Sequence, residues 1–358
     1  MKKWIILCLA LVLLTGCSGK TDDVEEKSTG AEATMDSLDD TYYKIINRGR
    51  SELGERFYTD FYSTKDFETI GRDLQILSSQ YFSTSSHYMS EGQYFGREEK
   101  NTLIQRSSSY SLQPKKGTSV GDVKNAIMIQ NLQEQDYYMK SGSKYSLKGV
   151  SISVVIDPKK SDNSPLDTPM SLSTIKSYGK ECVSKLYKYI MKSKNENMQK
   201  VRKVPILIAI YYATDKTEST INGRYIYECY CQNQLGTIKE VNHKQVIFSS
   251  TDAEKLDTTT YAEFNVIKNN LKNAATEAAG LVGKAKYIDN EIQSMVIEAN
   301  LNIKTITELQ YLTSLLADNI DSQFTYDFDI KVLVNSQDGL KAVIIKDKGE
   351  SAKSSILY

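Results

Sequence analysis

Val204-Pro205-Ile206-Leu207-Ile208-Ala209-Ile210-Tyr211-Tyr212 is a continuous apolar run of strand length. It carries no charge to turn towards water, so it predicts a strand in the middle of a sheet, covered on both faces. The flanking sequence supplies partners for it. Upstream, Val150, Ile152, Val154 and Ile156 alternate with Ser151 and Ser153, the period-two pattern of a strand over 149–156. Between the two strands, Ile175, Tyr178, Cys182, Leu186 and Ile190 fall at steps of three and four and predict a helix. Downstream, 225–231 and 241–248 read as further strands.

Further outward the same two periods recur. Phe67, Ile70, Leu74, Leu77 and Tyr81 form one helical stripe, followed by a polar, serine- and tyrosine-rich tract at 82–148 with little periodicity. Phe264, Ile267, Leu271, Ala274, Ala278 and Leu281 predict one long helix, and Met295, Ile297, Ala299 and Leu301 a strand. Thr305 with Glu308 three residues on is a capping box, and Leu309, Leu312, Leu316 and Ile320 give the stripe of the helix it opens. Tyr326, Phe328, Ile330, Val332 and Val334 alternate, and an Asp338-Gly339 turn leads into 340–346 as a hairpin. Helices and strands mix without a regular βαβ rhythm. The expected class is α+β, with mixed, largely antiparallel sheets and packed helices. Residues 157–170 (DPKKSDNSPLDTPM) hold three of the five prolines, which predicts a boundary between an N-terminal half, 41–160, and a C-terminal half, 171–358.

The start of the chain follows different rules. Lys2 and Lys3 precede an uncharged run, Trp4 to Leu14, of eleven residues. That length suits a signal-peptide core and falls short of the about 20 residues that span a bilayer. Leu14, Thr15, Gly16 and Cys17 then form a lipobox, an aliphatic residue and two small ones before a cysteine whose thiolate can take a diacylglyceryl group. The expectation is export, cleavage before Cys17 by lipoprotein-processing enzymes, and a lipid on Cys17 that holds the body at the outer face of the cell membrane. Residues 18–40 carry eight acidic and two basic side chains and almost nothing to bury, so they read as a disordered tether.

Composition narrows what the body can do. Its net charge is +4 once signal and tether are set aside, too weak to point to nucleic acid. The 24 tyrosines fit exposed sheet faces as well as contact surfaces. Cys182, Cys229 and Cys231 are an odd set for a disulfide framework and are expected to be free and buried. Only His87 and His243 could join them in a metal site, and no spacing recommends it, so neither metal nor cofactor is expected.

Catalytic patterns were tested on their structural requirements. Gly117-Thr118-Ser119-Val120-Gly121 matches a nucleophile elbow, which needs a buried strand before the serine and a histidine near it. The preceding SSSYSLQPKK is polar, and His243 lies far along the chain. Ser119 is therefore expected in an exposed loop without a base. Two Ser-x-x-Lys matches, Ser141 to Lys144 and Ser173 to Lys176, lack any Lys-Thr-Gly triplet. Glu91, Glu134 and Asp136 remain as candidate acids for the alternative reading, an envelope hydrolase acting on wall polymer or peptide. A pocket gathering two or more of Ser119, His243, Glu91, Glu134 and Asp136 would favour that alternative, and their dispersal over the surface a binding module.

Several segments together resemble one family. Tyr88-Met89-Ser90-Glu91-Gly92-Gln93-Tyr94, Gln133-Glu134-Gln135-Asp136-Tyr137-Tyr138, Tyr145 to Ser153, Val204 to Ala209 and Val332 to Gly349 are similar, in order, to stretches of the CamS family of sex pheromone precursor lipoproteins of Gram-positive bacteria. The resemblance implies a non-catalytic α+β body built from two related halves. It also implies that the cleaved signal supplies a short apolar peptide, here Ala10 to Gly16 (ALVLLTG). That fragment ends in Leu-Thr-Gly, without the alanine-rich tail of active examples, which weighs against activity.

Overall fold

The computed structural model of the chain describes residues 25–26, 32–33, 41–50, 52–55, 66–213, 223–275, 277 and 279–357. In chain order the elements begin with β1 (Glu25–Glu26), β2 (Glu32–Ala33), β3 (Lys44–Ile46), a helical turn α1 (52–55), α2 (Asp66–Ser79), β4 (Tyr88–Glu91) and α3 (Arg97–Ile104). A small hairpin, β5 (Ser119–Val120) and β6 (Val123–Lys124), precedes the long pair β7 (Ile127–Ser141) and β8 (Lys144–Lys159). Then come α4 (Leu172–Lys192), α5 (Glu196–Val201), β9 (Ile206–Tyr212), β10 (Arg224–Cys231) and β11 (Ile238–Glu240). The rest is β12 (His243–Phe248), α6 (Thr251–Leu256), α7 (Thr258–Ala274), β13 (Ala279–Ile288), β14 (Glu291–Leu301), α8 (Ile306–Gln323), β15 (Asp329–Ser336), β16 (Gly339–Lys346) and β17 (Lys353–Ile356). The class is α+β, as expected.

Two large sheets carry these strands. The first runs β11-β10-β9-β8-β7-β4-β3-β2, with β1 added to β8; the second runs β12-β13-β14-β15-β16-β17. β9 lies inside the first sheet, parallel to β8 and antiparallel to β10. Ile206, Ile208 and Ile210 enter the core under α4, while Leu207, Ala209 and Tyr211 enter the core under α2. The double covering that the apolar run demands is thus met by one helix on each face.

The two sheets repeat one topology. β4-β7-β8-β9-β10-β11 and β12-β13-β14-β15-β16-β17 have the same order and the same sequence of senses, with only the β8/β9 and β14/β15 pairs parallel. The parallel pairs are bridged by equivalent helices, α4 with α5 in the first unit and α8 in the second. The units therefore change over at 241–242. Segment 157–170 is not the divide: it runs from the last residues of β8 towards α4 within the first unit, with Pro158 at the end of the strand and Pro165 and Pro169 in the connection.

Two other readings need correction. The helix read from Phe264 to Leu281 ends at Ala274, and Leu281 belongs to β13. From 281 onward Leu281, Ala285 and Tyr287 are buried and alternate with partly exposed Val282, Lys284 and Lys286, so a strand period takes over from the helical one. Ala278, which seemed to bridge the two, lies outside the described residues. In the acidic tract, Glu25 and Glu26 pair with Ser146 and Tyr145. They fill an open edge there, because β9 joins β8 only from Val150 onward.

Candidate functional site

Two of the segments that carried the family resemblance meet in the first sheet. β4 pairs antiparallel with β7, setting Ser90 opposite Asp136 and Glu91 opposite Gln135. Chain reversal after Glu91 then brings residues 92–95 over the two carboxyl groups. Glu134 accepts the Tyr94 amide at 3.1 Å and the Phe95 amide at 2.9 Å, and Asp136 accepts the Gln93 amide at 2.9 Å. Gly92 is required by this approach: a Cβ there would stand 2.3 Å from the Glu134 side chain. Tyr138 donates to Asp136 at 3.5 Å and accepts from Arg48 at 2.7 Å.

Both carboxyl groups are buried, and burial pushes each upward: Glu134 to about 7, and Asp136 well above the usual carboxylate range. The Glu134 charge adds to the rise at Asp136, whereas the backbone amides pull the other way. The two carboxyl groups sit two residues apart on one face of β7, and Asp136 Oδ1 is buried without a hydrogen-bond partner among the described residues. Glu91 is also raised by partial burial, but its carboxylate lies against Gly54 of α1, with Arg50 pulling the other way. This arrangement fixes the loop ahead of α3. The sequence signalled the participants but not their job, since buried acids and solvated ones look alike in a sequence.

Ser119 lies elsewhere. It is exposed in β5, within a hairpin whose turns use Gly117 (φ 88°) and Gly121 (φ 54°). The hairpin is pinned by the Gly117 amide donating to Asn125 Oδ1 at 2.6 Å and the Asn125 amide donating to Thr118 O at 2.8 Å. The glycines thus serve a hairpin, not a strand-to-helix elbow. Ser119 lines a cleft of about 340 Å³ with Lys115, Thr118, Thr174, Ser177 and Lys185, with no histidine in the lining. A second cleft of about 430 Å³ opens on the other side of the hairpin, lined by Lys124, Lys160, Asp167 and, again, Thr174.

His243 opens β12 and is buried, with its imidazole lowered to about 4 by desolvation. Cys182, Cys229 and Cys231 are free and buried, as expected. Burial pushes the Cys182 thiol up to about 12. Cys229 and Cys231 have sulfurs 3.6 Å apart, and their mutual hydrogen bond raises the first and lowers the second. Among the described residues no group of three or more His, Cys, Asp or Glu side chains is placed to hold a metal ion. Of the five candidates, then, only Glu134 and Asp136 come together, beneath residues 92–95 and not in an open cleft; Glu91 lies against Gly54 of α1, and Ser119 and His243 stand elsewhere. Leu14, Thr15, Gly16, Cys17 and the fragment Ala10 to Gly16 lie outside the described residues.

Comparison with known proteins places this architecture. A sex pheromone precursor of Lactobacillus salivarius subsp. salivarius UCC118 superposes with a TM-score of 0.78 at 20% identity, covering 92% of this chain and 99% of that one. The C-terminal domain of the sex pheromone staph-cAM373 precursor from Staphylococcus aureus gives 0.63 at 19% identity, covering 86% and 97%. No curated protein matches the sequence. The family model described as CamS sex pheromone cAM373 precursor matches residues 54–352, and the chain belongs to that family.

Proposed function

We propose that the chain is exported, cut before Cys17 and lipidated there, so that its body is held at the outer face of the cell membrane as a non-catalytic binding protein. One observation carries the anchor: an uncharged apolar run of signal length ends in Leu14-Thr15-Gly16-Cys17, and an acidic stretch separates that cysteine from the first helix. Two acyl chains at about 0.8 kcal/mol per buried methylene give a lasting hold. Among the described residues no helix is long and apolar enough to cross a membrane.

A binding role is favoured by how the polar groups are used. Glu134 and one oxygen of Asp136 are engaged by backbone amides of the loop that covers them, and Ser119 has no histidine in its cleft. A serine without a base is a poor nucleophile at neutral pH. The precursor role rests on family membership, and the peptide concerned would be Ala10 to Gly16. The test is Cys17→Ala: the variant should accumulate as unprocessed or shed protein. A Cys17→Ala chain that is still cut and still partitions into detergent would refute the anchor. Labelling of Ser119 by a fluorophosphonate would bring back the hydrolase reading.

A further inference from the structure

The repeated topology leaves one sheet face unmatched. In the first unit, α2 lies across the face opposite α4 and takes Val155, Leu207, Ala209, Tyr211 and Tyr225 fully out of water. This helix precedes β4, so it stands outside the repeated unit. In the second unit α7 and α8 cover the face that carries Ile297 and Val332. No helix between β11 and β12 repeats α2, and among the described residues the opposite face stays open.

That open face has a definite chemistry. Lys284, Val296, Lys331 and Ile345 are cross-strand neighbours in one row over four strands. Val296 and Ile345 are 36% and 40% exposed, which is unusual for branched apolar residues on inner strands of a sheet. Lys284 is paired with Glu298 at 2.6 Å, whereas exposed Lys331 has no ion-pair partner among the described residues. α2 stops at the border of this face. Its Asp73 forms a nearly buried ion pair with Lys286 of β13, the strand at that border. Lys331 stands two strands further on, about 10 Å at the usual strand spacing. Two packed helices keep the same distance between their axes.

We propose that this face docks a helix of a partner protein, amphipathic and acidic along its rim, lying beside α2 with a carboxylate against Lys331 as Asp73 lies against Lys286. The proposal deepens the binding role given above and is independent of the lipid, so it can fail while the anchor stands. Other occupants fit less well. A second copy meeting it through the same face would bring Glu298, already paired with Lys284, and Asp329, which already accepts the Lys348 amide, against Lys331. The acidic tract of this chain is engaged at the other sheet, where β1 joins β8 and β2 joins β3.

The test titrates the full-length chain with a synthetic fluorescent peptide of the α2 sequence, Asp66 to Ser79, and with a scrambled peptide of the same composition. Saturable binding of the α2 peptide alone is expected, weakened about tenfold by Lys331→Glu and by Val296→Asp. Both positions are exposed, so the variants should keep the parent's circular dichroism. Hydrogen exchange should slow in β13 to β16. Absence of saturation at millimolar peptide, equal binding of the scrambled peptide, or indifference to both substitutions would overturn the proposal. So would slowing confined to β8 to β10, which would mean displacement of α2. A mass that doubles with concentration in light scattering, without peptide, would assign the face to a second copy instead.

Discussion

Glu134 and Asp136 put two carboxyl groups where water does not reach, and their protonation is tied to folding. Burial favours the uncharged form, so Glu134 keeps its proton in the folded chain up to about 7. In the unfolded chain a glutamate loses it near about 4.3. A group whose folded value is raised contributes stability that is complete below the unfolded value and is lost as pH rises through the folded one. His243, lowered to about 4, has the opposite sign and weakens the fold as pH falls. Comparing the wild type with Glu134→Gln cancels that second effect. The amide still accepts one backbone hydrogen bond but has no proton to release. The wild type should lose on the order of 2 kcal/mol relative to Glu134→Gln between pH 5 and pH 8, read by urea unfolding. A gap that stays constant with pH would show that Glu134 does not titrate between the two.

At the scale of elements, α8 shows how local chemistry sets a boundary. Thr305 accepts the Glu308 amide at 3.1 Å, as the capping box predicts, but Glu308 reaches back to the Lys304 amide at 3.0 Å, one residue beyond the cap. Thr305→Ala should cost about 1 kcal/mol in chemical denaturation, and no measurable loss would mean that packing of α8 alone holds that end. Other elements were hidden from sequence reading. β7 is nearly continuous in burial from Met128 to Tyr138, yet Asn131, Glu134, Gln135 and Asp136 sit inside it. Those polar residues broke the apolar pattern, and three of them find backbone partners 40 residues or more away: the Tyr94 amide for Glu134, the Gln93 amide for Asp136 and the Gly71 carbonyl of α2 for Gln135. β11 and β17 are too short to show a period.

Across the whole molecule, α2 ties the two repeated units together. It covers the first sheet and, through Asp73, holds Lys286 of the second in a pair of which only 5% and 15% of the side-chain surface stays exposed. Removing one partner leaves the other charge buried alone, which typically costs about 3 kcal/mol or more, whereas replacing both with apolar side chains can be neutral. Asp73→Asn should therefore destabilise strongly, and Asp73→Leu with Lys286→Met should recover most of the loss. Equal stability of the double and single variants in urea unfolding would show that the charges themselves are not what the junction needs.

The sequence by itself determined the classes of element, the apolar faces of α4 and α8, and the central place of β9. These depend on local periodicity or on short motifs, so they are legible without any distant residue. Tertiary structure alone decided where the repeated units divide, because prolines mark a departure from a ladder whether or not a new sheet follows. Only the fold decided that Glu134 and Asp136 are buried, since burial depends on a loop that closes over them. The bare face of the second sheet was equally invisible in sequence. Its alternating strands look like those of any half-covered sheet, and the missing cover shows only beside the face on which α2 lies.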